Sequence, residues 1–506
     1  MHLFGIETEY GITREDLDAV DPVEESMELV RAHLPGKFER RWDYRGEDPH
    51  EDARGFRVSG LQQDKEEDDF AKVDAHRPFS FHEMKSDLVL PNGARFYNDH
   101  THPEYSTPEC RTLKDLLAHD RAGERIVQRA ADRRNQQRGG AQGQRCKNNT
   151  DFHGHSYGCH DNYLASRSLP FAQLVSGLLP LLVSRQLMAG AGKVGMEAQE
   201  SGFVPGPFQI SQRADFMEAE LGVDTMHNRP ILNTRDEPHA DRTKYRRLHL
   251  ILGDANMCEY ATALKVGTTR LVLDMLQRGE APSLELEQPV AAIKQLSRDP
   301  DLKTTVRLKD GRTISGLAIQ EEYWNVASRC CAGSDPDADW VLREWQETLC
   351  ALRQDRTQLV GKIDWVTKQW LLETFMREER LAWEDPWLAS LDLEYHNVNP
   401  DRGLFLGLEA EGKTWRMTSE RDIAQALVAG PSDTRGGLRG LCVRRFPEQI
   451  TGMQWERVQF SGGLRARTLE MGDLFEPDAV QACAALLEAA SSPADALAAW
   501  SRRKDG

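Results

Sequence analysis

None of the nine cysteines forms a Cys-x-x-Cys pair or sits at Cys/His zinc spacing, which removes the zinc-finger and thioredoxin-type readings. Cys330 and Cys331 are adjacent and do not bridge one another, so reduced thiols in the cytoplasm are the plain expectation. No secretory signal is predicted, because Gly5-Ile6-Glu7-Thr8-Glu9 is charged where an apolar core would be needed. The most apolar stretch, Leu169 to Gly190, contains two prolines, Arg185 and Gln186, and does not read as a membrane span. Positive charge is also short. Against 81 Asp and Glu there are 64 Lys and Arg, a net charge of −17, which makes nucleic acid a poor partner. No GxGxxG follows a strand and no GxxxxGK[ST] occurs, so a bound nucleotide would not rest on a Rossmann or P-loop platform. Without a Gly-x-Ser-x-Gly elbow, and with no family signature around Cys110, the chain does not fit a serine or cysteine hydrolase.

What is present suits a folded, soluble enzyme: 39% of residues are hydrophobic and 29% charged, enough for a large core. Leu3 to Thr13 reads as a strand with Glu7 and Glu9 on one face, since period-2 alternation puts i and i+2 together. Val23 to His33 reads as a helix. Trp42 to His76 reads as a long loop broken by Gly46, Pro49, Gly55 and Gly60. It ends in the acidic run Gln62 to Asp69, which is either a solvated linker or a mimic of an acidic partner that gates the site. Asn92-Gly93 is a hairpin dipeptide. Helices are predicted over Leu113 to Asp132, Leu169 to Leu187 and Cys258 to Gln277, a loop over Arg133 to Arg145, and a strand over Leu248 to Leu252. The elements show no regular βαβ rhythm. Gly430 to Gly437 marks a boundary before a tail that ends in an Ala-rich helix.

Three clusters carry chemistry. Glu7, Glu9, Tyr97, Asp99, Glu104 and Glu109 offer the oxygen ligands a hard cation such as magnesium prefers, although a lone Glu-x-Glu more often just faces solvent. Arg213, Arg235 and Arg246-Arg247-Leu248-His249 could form a phosphate clamp or be ion pairs to Asp236, Glu237 and Asp241. His153, His155 and His160 suggest zinc, but no cysteine lies at a useful spacing. A single histidine supporting a magnesium or phosphate site is the better reading.

Gly5 to Gly11, Asn92 to Cys110, Lys147 to Leu164, Ser211 to Asp215 and Asn233 to Asn256 resemble the family of Pup ligases and Pup deamidase/depupylases. That family shares its fold with glutamine synthetase and other carboxylate–amine ligases. Gly440 and Trp455 lie in a weaker C-terminal match. The resemblance implies an α+β fold with a large catalytic domain over 1–430, built on a curved, mainly antiparallel sheet packed by helices. It further implies a mobile insert at about 42–80 and a small domain over 431–506. Arg41-Trp42-Asp43-Tyr44 and Asp52-Ala53-Arg54-Gly55-Phe56 match an insert of the depupylase branch, as does the short spacing of Asp99 to His102-Pro103-Glu104-Tyr105. Ile6 to Glu9 and Lys147 to Asp151 lean the other way, which keeps the ligase as the alternative.

Residue by residue, Glu7, Tyr97 and Glu104 match magnesium ligands, with Glu9 added from the Glu-x-Glu pairing. Arg95, Thr107 and Trp455 match nucleotide-binding positions, and Asp99 matches the catalytic aspartate. Arg213, Arg235 and His239 fall near the phosphates. The implied activity is hydrolysis of the isopeptide bond between the C-terminal glutamate side chain of Pup and a substrate lysine, with ATP (or ADP plus phosphate) and Mg2+ bound. The implied partners are Pup and pupylated proteins, with a functional link to the bacterial proteasome; the expected state is a cytoplasmic monomer. Whether Asp99 attacks directly or activates water, and whether a C-terminal Gln of Pup is also deamidated, stays open. Two further alternatives are a small-molecule glutamate–amine ligase of the same fold and a catalytically dead Pup-binding regulator.

Overall fold

The computed structural model describes residues 3–13, 21–34, 42–62, 72–138, 143–198, 202–461 and 467–504. Its centre is an eight-stranded sheet. In chain order the strands are β1 (Phe4–Glu9), β2 (Leu88–Val89), β3 (Arg95–Asp99), β4 (His102–Ser106), β5 (Cys159–Ser166), β6 (Ala219–Gly222), β7 (Pro230–Asn233) and β8 (Tyr245–Leu250). Across the sheet they run β6-β7-β8-β5-β1-β4-β3-β2. Only β6 and β7 pair in parallel; every other neighbouring pair is antiparallel.

The two faces of this sheet differ chemically, and alternation makes them so. From β1, Phe4 and Ile6 point to one side, with Tyr163 and Ala165 of β5 and Leu248 and Leu250 of β8, into the main apolar core. Helices α4 (Phe171–Ala189) and α5 (Glu259–Gln277) cover them. Phe96 of β3 and Tyr105 of β4 pack instead with Leu29 and Val30 of α1 (Pro22–His33) and with Ile126 and Val127 of α3 (Leu113–Arg138). Further helices between Pro289 and Ala426 build outward from α4 and α5. The opposite face, carrying Glu7, Glu9 and their cross-strand neighbours, is left open. The result is the α+β architecture expected from the sequence. By length and composition α4 could cross a membrane, but 72% of its apolar window is buried inside the fold.

Several boundaries differ from the sequence reading. The first strand breaks at Tyr10, and Gly11–Thr13 pairs with Gln144–Cys146. Helix α3 runs on to Arg138 through the stretch read as loop, since a polar face is no obstacle to a helix whose other side is packed. Arg134 and Arg138 there pair with Glu25 of α1. The last strand starts three residues earlier than expected, at Tyr245.

Within the long segment after α1, Asp43 donates its N–H to the Met453 carbonyl (2.9 Å). Glu51–Asp52 and Phe56–Arg57 form a small hairpin, which bridges to Arg235 and hydrogen-bonds Ala53 and Asp236 across to Thr234 and Glu51. A short helix, α2 (Phe81–Lys85), follows behind a Ser80/Glu83 capping box. Most of the acidic run Gln62 to Asp69 lies outside the described residues. The C-terminal part has helix α6 (Arg435–Arg445), strands β9 (Ile450–Met453), β10 (Arg457–Phe460) and β11 (Arg467–Glu470), and helices α7 (Pro477–Ala489) and α8 (Pro493–Lys504). These share a separate apolar cluster that also takes in Trp42 and Val89.

Candidate active site

Strand register assembles the site. Glu7 lies opposite Ser106 on one side and His160 on the other, Glu9 opposite Glu104, Glu104 opposite Tyr97, and Asp99 opposite His102. Together with Arg213, Arg235 and Trp455 they line a cavity of about 380 Å³ on the open face of the sheet. A smaller apolar slot of about 90 Å³ adjoins it, lined by Leu3, Phe4, Gly5, Thr107, Arg435 and Trp455. Glu7 and His239 border both spaces. All eleven residues singled out for catalysis, nucleotide or metal therefore reach these two connected spaces.

Two ligand sets stand out among the described residues. Glu9, Asp99 and Glu104 each offer an oxygen, and Glu7, His160 and His249 offer one oxygen and two ring nitrogens; within each set the atoms lie inside 4.8 Å of one another. The first set is crowded with negative charge. Burial, then Asp99, Glu7 and Glu9, pushes the Glu104 carboxyl well above its usual range. The Tyr97 hydroxyl is pushed up by burial and then by Glu104 and Asp99. Such a group of oxygens, short of a full counter-charge, fits a divalent cation. At Glu7 burial also pushes upward, but the His160 hydrogen bond (3.4 Å) and the Arg247 guanidinium (3.4 Å) outweigh it and hold the carboxyl low. Burial, reinforced by Arg247, drives His249 and His239 well below the ordinary histidine value, so both rings are neutral at pH 7 and available as acceptors or ligands.

Asp99 is different. Burial raises its carboxyl, but the Lys85 ammonium, 2.5 Å from Oδ1, prevails with help from Arg95 and His100 and brings it to about 2. The carboxylate is thus ionised while its side chain stays 40% exposed to the cavity.

The arginines divide by what they already hold. Arg95 is packed between the rings of Trp42 (4.1 Å), Tyr97 (3.8 Å) and Tyr44 (5.3 Å), and it is bonded to Asp87 (2.6 Å) and the Tyr44 hydroxyl (2.6 Å). Arg213 donates to the Ser156 hydroxyl (2.9 Å) and to the carbonyls of Tyr157 (3.0 Å) and Ile251 (2.7 Å), fixing the loop that walls the cavity. Arg235 donates to the Val223 carbonyl (2.7 Å). Arg247, on β8, reaches Asn162 (2.9 Å) as well as Glu7.

Several residues of the sequence clusters go elsewhere. Glu109 is ion-paired with Arg435 (3.0 Å) and Arg439 (2.5 Å), at the foot of the apolar slot, rather than with the other carboxylates. Arg246 points away from the site and donates to the Leu169 carbonyl (2.7 Å). His155 pairs with Asp151 (2.5 Å) on an exposed turn, and only His160 of the three histidines reaches the carboxylates. The sequence reading missed Lys85 and used Tyr44 only as part of the insert motif; each stands at the edge of a helical turn too short for periodicity to mark a side chain's direction. Glu237, named as an ion-pair partner of the arginine cluster, does lie 3.8 Å from Arg247.

The model of the Pup-ligase protein family matches residues 2–459 of the chain. The Pup deamidase/depupylase of Mycolicibacterium smegmatis is 42% identical over 480 residues, spanning 92% of this chain and 94% of its own. The Pup–protein ligase of Acidimicrobium ferrooxidans is 45% identical over 373 residues, spanning 72% of this chain and 81% of its own. Among solved structures, the complex of prokaryotic ubiquitin-like protein Pup with its ligase PafA superposes with a TM-score of 0.77 at 34% identity, covering 98% of this chain and 94% of the other. The Pup ligase PafA in complex with ADP gives 0.73 at 35% identity, covering 87% and 98%.

Proposed function

The chain belongs to the Pup-ligase family, and from that premise we propose that it is a depupylase. It hydrolyses the isopeptide bond between the C-terminal glutamate side chain of Pup and a lysine of a pupylated protein. One observation carries the choice over ligation. Residues 42–62 and 72–85 are integral to the site, where Trp42 and Tyr44 enclose Arg95 and Lys85 meets Asp99. Relatives named Pup deamidase/depupylase align over 92% of the chain, whereas those named Pup–protein ligase align over 70–72%.

In this reading Glu7, Glu9, Tyr97 and Glu104 hold magnesium. Thr107 and Trp455 of the apolar slot, with Arg95, Arg213, Arg235 and His239 of the adjoining cavity, would hold a nucleotide. When bound, magnesium and phosphates supply the positive, ordered surroundings that stabilise the oxyanion developing on the isopeptide carbonyl. The residues of the chain do the rest. The ionised Asp99 delivers an oxygen nucleophile, its own or that of a water it deprotonates. The Arg213-braced loop and the neutral His239 and His249 shape the wall. The departing lysine amine takes up the proton given up by the water whose oxygen ends on the glutamate carboxyl. Residues 1–430 form the catalytic domain and 431–506 a small domain that completes the nucleotide slot. The enzyme acts in the cytoplasm as a monomer, on proteins marked for the bacterial proteasome. Asp99→Asn should abolish cleavage of a pupylated substrate, by at least about a hundredfold, while ADP still binds. An active Asp99→Asn protein would remove the aspartate from the mechanism.

A further inference from the structure

Lys85 lies outside every motif that carries the family resemblance, yet it is the residue that touches Asp99. It is the last residue of α2, and that end of the helix is tied down from two sides. Ser86, buried and left-handed (φ 50°), donates to the Glu83 carbonyl (2.7 Å) and accepts from Arg31 Nε of α1 (3.0 Å). Arg31 also donates to the Glu83 carbonyl (2.8 Å), and Asn98 of β3 donates to the Met84 carbonyl (2.9 Å). From this fixed base the side chain crosses to Asp99 Oδ1 at 2.5 Å, over the Tyr97 ring (5.7 Å), and lines the catalytic cavity.

A lysine ε-ammonium on Asp99 is the same functional group that depupylation releases and ligation consumes. We propose that Lys85 decides which acceptor takes the Pup acyl group. By keeping an ammonium on Asp99 it excludes a second lysine amine and leaves the acyl group to water. The proposal rests on the depupylase reading above. Hydrolysis breaks the glutamyl C–N bond, joins a water oxygen to that carbon and sends a proton to the departing amine. The competing exchange breaks the same bond and makes a new C–N bond to an incoming amine, whose proton passes to the departing one. Exchange needs a free amine beside Asp99. Lys85 is already there, tethered at an effective concentration of order millimolar or above, and a second ammonium at the same carboxylate meets like-charge repulsion. The isopeptide nitrogen is a neutral amide and meets no such barrier, so substrate entry and amine exclusion are compatible. The same contact helps clear the product amine.

The test incubates the full-length protein with a pupylated substrate, nucleotide, magnesium and an excess of Nα-acetyl-lysine. Mass spectrometry reads the ratio of Pup–acetyl-lysine adduct to Pup free acid. Wild type and Lys85→Arg, which keeps the charge, should give free acid almost alone. Lys85→Met should raise the adduct-to-acid ratio at least tenfold, and Lys85→Gln should do the same if the Met variant does not fold. An unchanged ratio in the neutral variants, even with slower cleavage, would overturn the proposal and leave Lys85 a mere support for Asp99. A wild type that cleaves nothing would instead overturn the depupylase reading, and this proposal with it.

Discussion

At Glu109 two buried arginines converge on one carboxylate at the foot of the apolar slot, and the charge balance there is open to titration. Burial pushes the carboxyl up, but Arg439 and Arg435 prevail and hold it at about 2. A carboxyl depressed in the fold stabilises it above the unfolded value of about 4.3, and the contribution fades as pH falls from there toward about 2. Glu109→Gln should therefore lower stability at pH 7 by about 3 kcal/mol, taking about 1.4 kcal/mol per pKa unit. The deficit should shrink between about pH 5 and pH 3; a deficit independent of pH in urea melts would contradict the assignment. In the sequence Glu109 looked like one more oxygen ligand, because its arginine partners stand 326 and 330 residues further along. The pair Glu7 and Glu9 was legible because strand alternation alone sets its geometry. Their meeting with His160 and Glu104 depends on strand pairing between distant segments, for which a single sequence offers only motif resemblance.

Among elements, the contact between the Asn92-Gly93 turn and helix α6 joins the C-terminal part to the sheet. Gly93 has φ +78°, and a Cβ there would fall 1.9 Å from the Gly436 carbonyl oxygen; one on Gly440 would fall 2.4 Å from that of Pro91. Gly436 and Gly440 are one helical turn apart, so they form a bare stripe on which the turn sits. Arg439 beside them donates to the Gly93 carbonyl (3.2 Å) and to the carbonyl of Trp455 (2.7 Å). Gly440→Ala should thus cost about 1–3 kcal/mol through backbone displacement and also weaken ADP binding through Trp455. Thermal melts and ADP titration check both, and normal affinity in a destabilised variant would uncouple the slot from this contact. Asp52 is the corresponding fixture of the insert: its carboxylate accepts from Thr234 (2.7 Å) and Arg54 (2.7 Å). Asp52→Ala should cost about 1–3 kcal/mol through the unpaired partners and speed proteolysis between Asp48 and Arg57. The Asn-Gly turn and the Asp-Ala-Arg-Gly-Phe segment were visible in the sequence. What each docks against was not, because the partners lie 346 and 182 residues away.

For the whole molecule, a chain of net charge −17 brings Arg95, Arg213, Arg235, Arg247 and Lys85 around one cavity while several carboxylates crowd its floor. That arrangement fits an anionic cofactor bridged to protein carboxylates by a cation. Chelation of divalent metal should stop cleavage and weaken ADP binding, and Glu104→Gln should do both with magnesium present. Wild-type ADP affinity in that variant would remove Glu104 from the metal site. The fold class was legible as a whole, since the motifs carry it, whereas strand order and helix limits had to come from the structure. The central claim is that this active site cleaves isopeptide bonds and does not consume nucleotide to make them. The direct test incubates the purified protein with a pupylated substrate, magnesium and limiting ATP, and follows both the isopeptide bond and ADP. Many bonds cleaved per ADP formed, with none cleaved by Asp99→Asn, is the predicted result. Free Pup joined to lysine with ADP rising one for one would contradict it and make the chain a ligase.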